Sequence, residues 1–471
     1  MHLNYKPNDG WAADFIPFYW QGEYHLFYLK DFRDPAGHGE GTPWCHLVTR
    51  DFVHFVDHGE CLPRGSLADQ DLFVFTGSVL AAAGQFHIFY TGHNPHLRAA
   101  GRPEQAVMHA VSDDLYHWRK VPADTFFAPA AGWEPHDWRD PFVFWNAEAG
   151  AYWMLLAARQ TAGPSRRRGC TALCASTDLA QWQVQAPFYA PGMYFTHECP
   201  DLFQMGDWWY LLFSEFTDAT VTRYRMARTL DGPWLTPAVD TVDGHAFYAA
   251  KTAAGDTAAG GGQRYLFGWN PSRTGERDEG EWNWGGNLVV HALAQRADGS
   301  LAVSIPAAVK DHFARPQPVR FNAPDGSLRL EAPGTYRWRF AAGELPEMAL
   351  ITATAVFTES TRALGVVLRA SADGEAGYYV RLEPLRQRLV FDAWPRPGDR
   401  PFMVELERPL DLTAGQPVAL VIYVDGTLCE VYVNDEVAMS ARMYNHRAGQ
   451  WGVFVAEGAA TFTNIRLSIP D

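Results

Sequence analysis

The segment Gly22-Glu23-Tyr24-His25-Leu26-Phe27-Tyr28 returns in altered form as Gly84-Gln85-Phe86-His87-Ile88-Phe89-Tyr90, Gly150-Ala151-Tyr152-Trp153-Met154-Leu155-Leu156, Gly206-Asp207-Trp208-Trp209-Tyr210-Leu211-Leu212 and Gly262-Gln263-Arg264-Tyr265-Leu266-Phe267-Gly268. Five copies spaced by roughly sixty residues mark an internal repeat. Each copy is of strand length, aromatic and apolar at successive positions, which predicts a strand covered on both faces by neighbouring sheets. No sustained helical periodicity interrupts the series.

Working outward, a second signature follows four of the copies: Thr49, Asp51 and Phe55; Ser112, Asp114 and Trp118; Ser176, Asp178 and Trp182; Thr229, Asp231 and Trp234. Ser, Thr and Asp side chains bond to nearby backbone and set a turn, after which the aromatic begins an outer strand. Ahead of each glycine lies a further apolar run: Ile16 to Tyr19, Ser78 to Leu80, Pro141 to Trp145, Pro200 to Gln204, and Phe247 to Ala250. Small sheets of about four strands repeated five times predict a five-bladed β-propeller over residues 1–306, its innermost strands lining one central channel.

Beyond Ile305 the pattern changes. A short, helix-compatible connector over 307–318 leads to strand-like runs at Leu350 to Phe357, Gly365 to Ala370, Val418 to Val424 and Cys429 to Val433. Turn signals at Asp373-Gly374 and Asp425-Gly426 lie between them, so residues 319–471 are expected to form a β-sandwich. The fold class is all-β.

The 471 residues are 47% hydrophobic, which is ordinary globular chemistry, and the net charge of −15 repels phosphate backbones and anionic lipid. Nucleic acid and membranes are therefore not expected partners, and oligomeric state is unreadable. The opening Met1-His2-Leu3-Asn4-Tyr5-Lys6 lacks the apolar stretch of a signal peptide, giving a cytoplasmic expectation. The six cysteines form no CxxC pair, and no phosphate-cradling glycine loop or dinucleotide fingerprint is present. No cofactor and no metal are expected. The basic run Arg166-Arg167-Arg168 reads as a solvated hairpin tip.

The residues opening the inner strands carry the chemistry. They are Asp14, then Thr76 and Ser78, then Arg139 and Asp140, then Glu198, with Tyr248 and Lys251 in the last repeat. Read as equivalent positions of a closed ring, three carboxylates meet in an aromatic-rich cavity and push one another's proton affinities apart. One stays ionised while another keeps a proton, which is what cleavage of a glycosidic bond requires.

These residues resemble a known family. Trp138-Arg139-Asp140-Pro141 and Glu198-Cys199-Pro200-Asp201 look like the Arg-Asp-Pro and Glu-Cys motifs of glycoside hydrolase family 32, the invertases, inulinases and levanases. Phe75-Thr76-Gly77-Ser78, Trp44-Cys45-His46, Phe247-Tyr248-Ala249-Ala250-Lys251, Gly268-Trp269-Asn270 and, near the end, Cys429-Glu430-Val431-Tyr432-Val433-Asn434-Asp435 match further family segments. The resemblance implies a propeller followed by a sandwich and a retaining fructofuranosidase. It makes Asp14 the nucleophile, Glu198 the acid/base and Asp140 a transition-state stabiliser. Arg139, Trp44, Phe75, Thr76, Ser78, Tyr248 and Lys251 become expected substrate-binding residues for a small carbohydrate.

One motif departs from the family. Its usual Trp-x-Asn-Asp-Pro-Asn-Gly survives only as Trp11-Ala12-Ala13-Asp14, with Asp9 as a rival nucleophile farther upstream. The alternatives are an inverting arabinanase- or xylosidase-like enzyme of the related five-bladed family 43, and a non-catalytic glycan-binding propeller.

Overall fold

The computed structural model describes residues 2–256, 262–321, 327–396 and 406–471. The repeat forms five antiparallel blades in sequence order. Their innermost strands are Trp11–Trp20, Phe73–Ala82, Trp133–Asn146, Glu198–Met205 and Tyr248–Ala254. The glycine-introduced segments are the second strands, Glu23–Asp31, Gln85–His93, Ala151–Gln160, Trp208–Glu215 and Arg264–Arg273. Gln21-Gly22 and Ala83-Gly84 each place two successive residues at positive φ, the geometry of the tight hairpin turn whose twist suits the strands it joins. Gly22, Gly84, Gly150 and Gly206 all take positive φ and answer that requirement, whereas Gly262 in the fifth copy does not.

The Ser/Thr-x-Asp signature does what its side chains dictate in the first three blades. Ser112 Oγ accepts from the backbone N–H groups of Asp114 and Leu115, and Asp114 Oδ1 accepts from those of Tyr116 and His117. Thr49 with Asp51 and Ser176 with Asp178 repeat the pattern. The fourth copy differs: Thr229 Oγ1 donates to the Gly232 carbonyl instead, and the outer strand there shrinks to a bridge between Met226 and Leu235.

Ring closure brings the chain start beside the last blade. Ala12 pairs with Gly286, Leu288 N–H donates to the Tyr5 carbonyl, and Asn287 Nδ2 donates to the Asn4 carbonyl.

In the expected connector, Ala307–His312 is helical and buries Val309 against the propeller core. Arg315–Gln317 already pairs with the final strand, so the end of that segment joins the second unit. There the long strand Gln450–Ile469 pairs with Leu328–Glu344, Met348–Phe357 and Ala363–Ala370, and thereby links the strands of the β-sandwich into one continuous eleven-stranded sheet around its main apolar core. Arg442 from the sandwich is buried against the propeller, donating to the carbonyls of Asn270 and Pro271 and to Asn287 Oδ1. Among the described residues no helix is long and apolar enough to cross a membrane.

Candidate active site

Each inner strand carries one residue too many opposite its neighbour near its start. The extra residue falls between Ala13 and Ile16, Phe75 and Gly77, Arg139 and Phe142, Glu198 and Asp201, and Tyr248 and Lys251. Such bulges re-aim side chains, and here they do so at one end of the ring. In four blades the bulge puts a residue into the left-handed region: Asp14 at φ 46°, Asp140 at 59°, Cys199 at 50° and Ala249 at 52°. Asp accepts this conformation more readily than most residues, while at Cys199 and Ala249 the surrounding ladder bears its cost.

The bulges correct the expected register. Asp14 and Asp140 share a position with Cys199, whereas Glu198 stands one residue earlier, level with Arg139 and Tyr248. The three carboxylates therefore enter the pocket from two registers, and the offset sets Glu198 beside Arg139 instead of in line with the two aspartates.

A pocket of about 520 Å³ opens at this end, lined by Asp14, Phe75, Arg139, Asp140, Glu198 and Tyr248 among others. Asp14 Oδ2 accepts from Thr76 Oγ1 at 2.6 Å and Oδ1 accepts from Trp269 Nε1 at 2.9 Å. Asp140 Oδ2 accepts from the Cys199 N–H at 2.9 Å, and Asp140 N–H donates to Thr91 Oγ1. Glu198 accepts from Arg139 Nη2 at 3.1 Å on one oxygen and from the Tyr248 hydroxyl at 2.7 Å on the other.

Burial, which disfavours charge, pushes Asp14 up to about 7, against the Thr76 hydrogen bond and with help from the Asp140 charge. Burial likewise raises Glu198; Arg139 opposes the shift and Asp140 adds to it. Burial works against the Arg139 charge too, yet Glu198, Asp137 and Asp140 around it outweigh that and strengthen its hold on the proton. The pocket thus holds carboxyl groups displaced toward neutral pH about one permanent cation, an arrangement suited to proton transfer.

The remaining expected residues sit elsewhere. Trp44 is fully buried and donates its indole N–H to the Phe75 carbonyl. Thr76 is buried behind Asp14 and reaches it only through its hydroxyl. Ser78 accepts from the Val143 N–H of the next blade, and Lys251 Nζ donates to the Pro200 carbonyl of the preceding one. All four lie outside the pocket lining, as braces between strands or blades. Asp9 pairs with Lys30 at 2.6 Å on an exposed loop, away from the pocket. The basic run is the expected exposed hairpin tip, between the paired strands Ala151–Gln160 and Gly169–Ser176, and Arg166 and Arg167 also donate to the carbonyls of Thr217 and Met193.

Sequence reasoning passed over several lining residues: His93, Gln105, Asp137, Phe195, Phe216, Trp269, Trp282 and Trp284. Of these only Trp269 lay in a quoted motif, and its contact with Asp14 is made by folding.

The chain matches the family model described as glycosyl hydrolases family 32 N-terminal domain over residues 4–293, and the corresponding C-terminal model over 335–469. The chain belongs to glycosyl hydrolases family 32. It is a glycoside hydrolase of the retaining fructofuranosidase class. Among its family 32 relatives, a raffinose invertase of Escherichia coli is 26% identical over 98% of this chain and 93% of that protein. A sucrose-6-phosphate hydrolase of the same organism is 25% identical over 94% of this chain and 89% of that protein. Two solved structures share the fold. Sucrose-6-phosphate hydrolase from Lactobacillus gasseri has a TM-score of 0.76 at 22% identity, covering 100% of this chain and 93% of that one. Exo-inulinase from Aspergillus awamori has a TM-score of 0.76 at 18% identity, covering 100% and 99%.

Proposed function

We propose that Asp14 is the nucleophile and Glu198 the acid/base of fructofuranoside hydrolysis. Asp14 attacks the anomeric carbon while Glu198 gives its proton to the glycosidic oxygen, releasing the aglycone as an alcohol and leaving a fructosyl ester on Asp14. Water then attacks that carbon, Glu198 takes its proton, and the Asp14 carboxylate departs. Asp140 and Arg139 hold the sugar hydroxyls and the developing positive charge, and Phe75 and Tyr248 help wall the sugar pocket. Trp44, Thr76, Ser78 and Lys251 support this site from behind.

The observation that carries the reading is the hydrogen bonding of the two carboxyls within one pocket. Asp14 is fixed on both oxygens by Thr76 and Trp269, and Glu198 is fixed between Arg139 and Tyr248. We assign catalysis to residues 1–306, a connecting role to 307–318 and a supporting role to 319–471. Small fructosides are the proposed substrates, in keeping with the raffinose and sucrose derivatives named for the relatives. A reducing, cytoplasmic setting agrees with six unpaired cysteines, five of them buried.

Asp14→Asn and Glu198→Gln test the roles. Each is expected to lower turnover on the order of a thousandfold or more with the circular dichroism spectrum unchanged. NMR of the wild-type product should show the anomer of the substrate first. Wild-type turnover in either variant removes the role from that residue.

A further inference from the structure

Arg139 is shared among more acids than the reaction uses. Its Nη2 donates to Glu198 and to Thr196 Oγ1, its Nε lies 3.9 Å from Asp140, and its Nη1 donates to Asp137 Oδ1 at 2.8 Å. Asp137 lines the same pocket, with its side chain 21% exposed. Its second oxygen stands 3.5 Å from Arg159 Nε, and Arg159 in turn pairs with Glu134 at 2.9 Å. Charges therefore alternate from the acid/base outward along the third blade: Glu198, Arg139, Asp137, Arg159, Glu134.

We propose that Asp137 is a positioning residue for Glu198: by occupying one arm of Arg139 it limits how firmly that guanidinium holds the Glu198 carboxylate, so that Glu198 keeps the proton it must donate. A guanidinium facing Glu198 alone would favour the ionised acid, and an ionised Glu198 cannot protonate a leaving oxygen. Asp140 also favours the protonated Glu198 through its charge, but it stands 3.9 Å from Arg139 Nε, whereas Asp137 takes one arm of the guanidinium in a direct hydrogen bond. The other titratable groups around the pocket are Asp14 from the first blade, Cys199 from the fourth, whose thiol burial keeps protonated, Tyr248 from the fifth, and His93 and His245 on the walls. Burial and then Arg139 hold His93 down at about 4, so it stays neutral across the working range.

The inference rests on Glu198 as acid/base, and the test keeps the two apart. The pH profile of kcat/KM is measured on a fructoside for the wild type, Asp137→Asn, Asp137→Ser and Asp137→Glu. Both uncharged variants should move the basic limb to lower pH by about half a unit or more, with the acid limb in place and KM on the plateau changed less than about threefold. Asp137→Glu should restore the wild-type limb. A basic limb unmoved in both uncharged variants, whether or not activity falls, overturns the role of Asp137 while leaving Glu198 untouched. An active Glu198→Gln variant instead defeats the underlying assignment.

Discussion

Trp269 donates its indole N–H to Asp14 Oδ1 over 2.9 Å, although 255 residues separate the two in the chain. Together with the Thr76 hydroxyl on the other oxygen, it favours the carboxylate form of a group that burial drives to about 7. Nucleophilic attack needs that form, so the acid limb of kcat/KM belongs to the coupled carboxyl cluster and lies well above an ordinary aspartate's range.

Trp269→Phe keeps the ring and removes the donor. A donor to a carboxylate favours the ionised form, so its loss raises the proton affinity of Asp14 and carries the acid limb to higher pH. A hydrogen bond to a charged group contributes about 1.5 to 3 kcal/mol, which corresponds to a ten- to hundredfold fall in kcat/KM below the limb. A pH-rate profile with an unchanged acid limb would show that the indole merely fills space.

Lys251 tests the difference between lining a pocket and bracing it. Its ammonium group is buried, donates to the Pro200 carbonyl at 2.7 Å and lies 5.2 Å from the centre of the Phe142 ring, tying three blades together. Lys251→Met retains the stem and loses the donor, leaving a buried carbonyl short of a partner. The expected cost is about 1 to 3 kcal/mol of unfolding free energy by urea titration, with KM for the fructoside nearly unchanged. A large rise in KM at unaltered stability would return Lys251 to the substrate.

The blades were legible because most are built from local signals: a glycine that satisfies a hairpin turn in four of them, an apolar second strand in all five, and a Ser/Thr-x-Asp turn in three. Asp14, Asp140 and Glu198 were legible as acids at strand starts that a ring must gather. Their relative register was not, because one inserted residue per strand leaves no mark in composition yet shifts every later side chain to the other face. The same alternation explains Ser78 and Lys251: they lie close to the pocket residues in sequence, and the pleat turns them toward neighbouring blades. Trp269 was readable as part of a motif and Asp137 only as a residue beside one, since their roles come from contacts that folding creates.

The junction between propeller and sandwich was equally invisible in the sequence, and it carries a pH dependence of its own. Glu430 on the sandwich is fully buried; one carboxyl oxygen accepts from Ser440 Oγ at 2.6 Å, and the other has no partner among the described residues. The same Ser440 hydroxyl also contacts Asp243 of the propeller at 2.9 Å, and Asp243 is within 3.0 Å of His291 Nε2. Burial first, then the Asp243 charge, raises Glu430 well above its ordinary value, whereas His291 chief among its partners holds Asp243 low in spite of burial. A group that binds its proton more tightly when folded contributes its full stability below its unfolded value of about 4.5, and loses it as pH climbs toward the folded value. Glutamine matches the neutral acid in shape and cannot ionise. Glu430→Gln should therefore be more stable than the wild type at pH 8 by urea unfolding, with the gap closing toward pH 5 at no more than about 1.4 kcal/mol per pH unit. A gap of the same size at both pH values would mean that Glu430 enters the folded state already ionised.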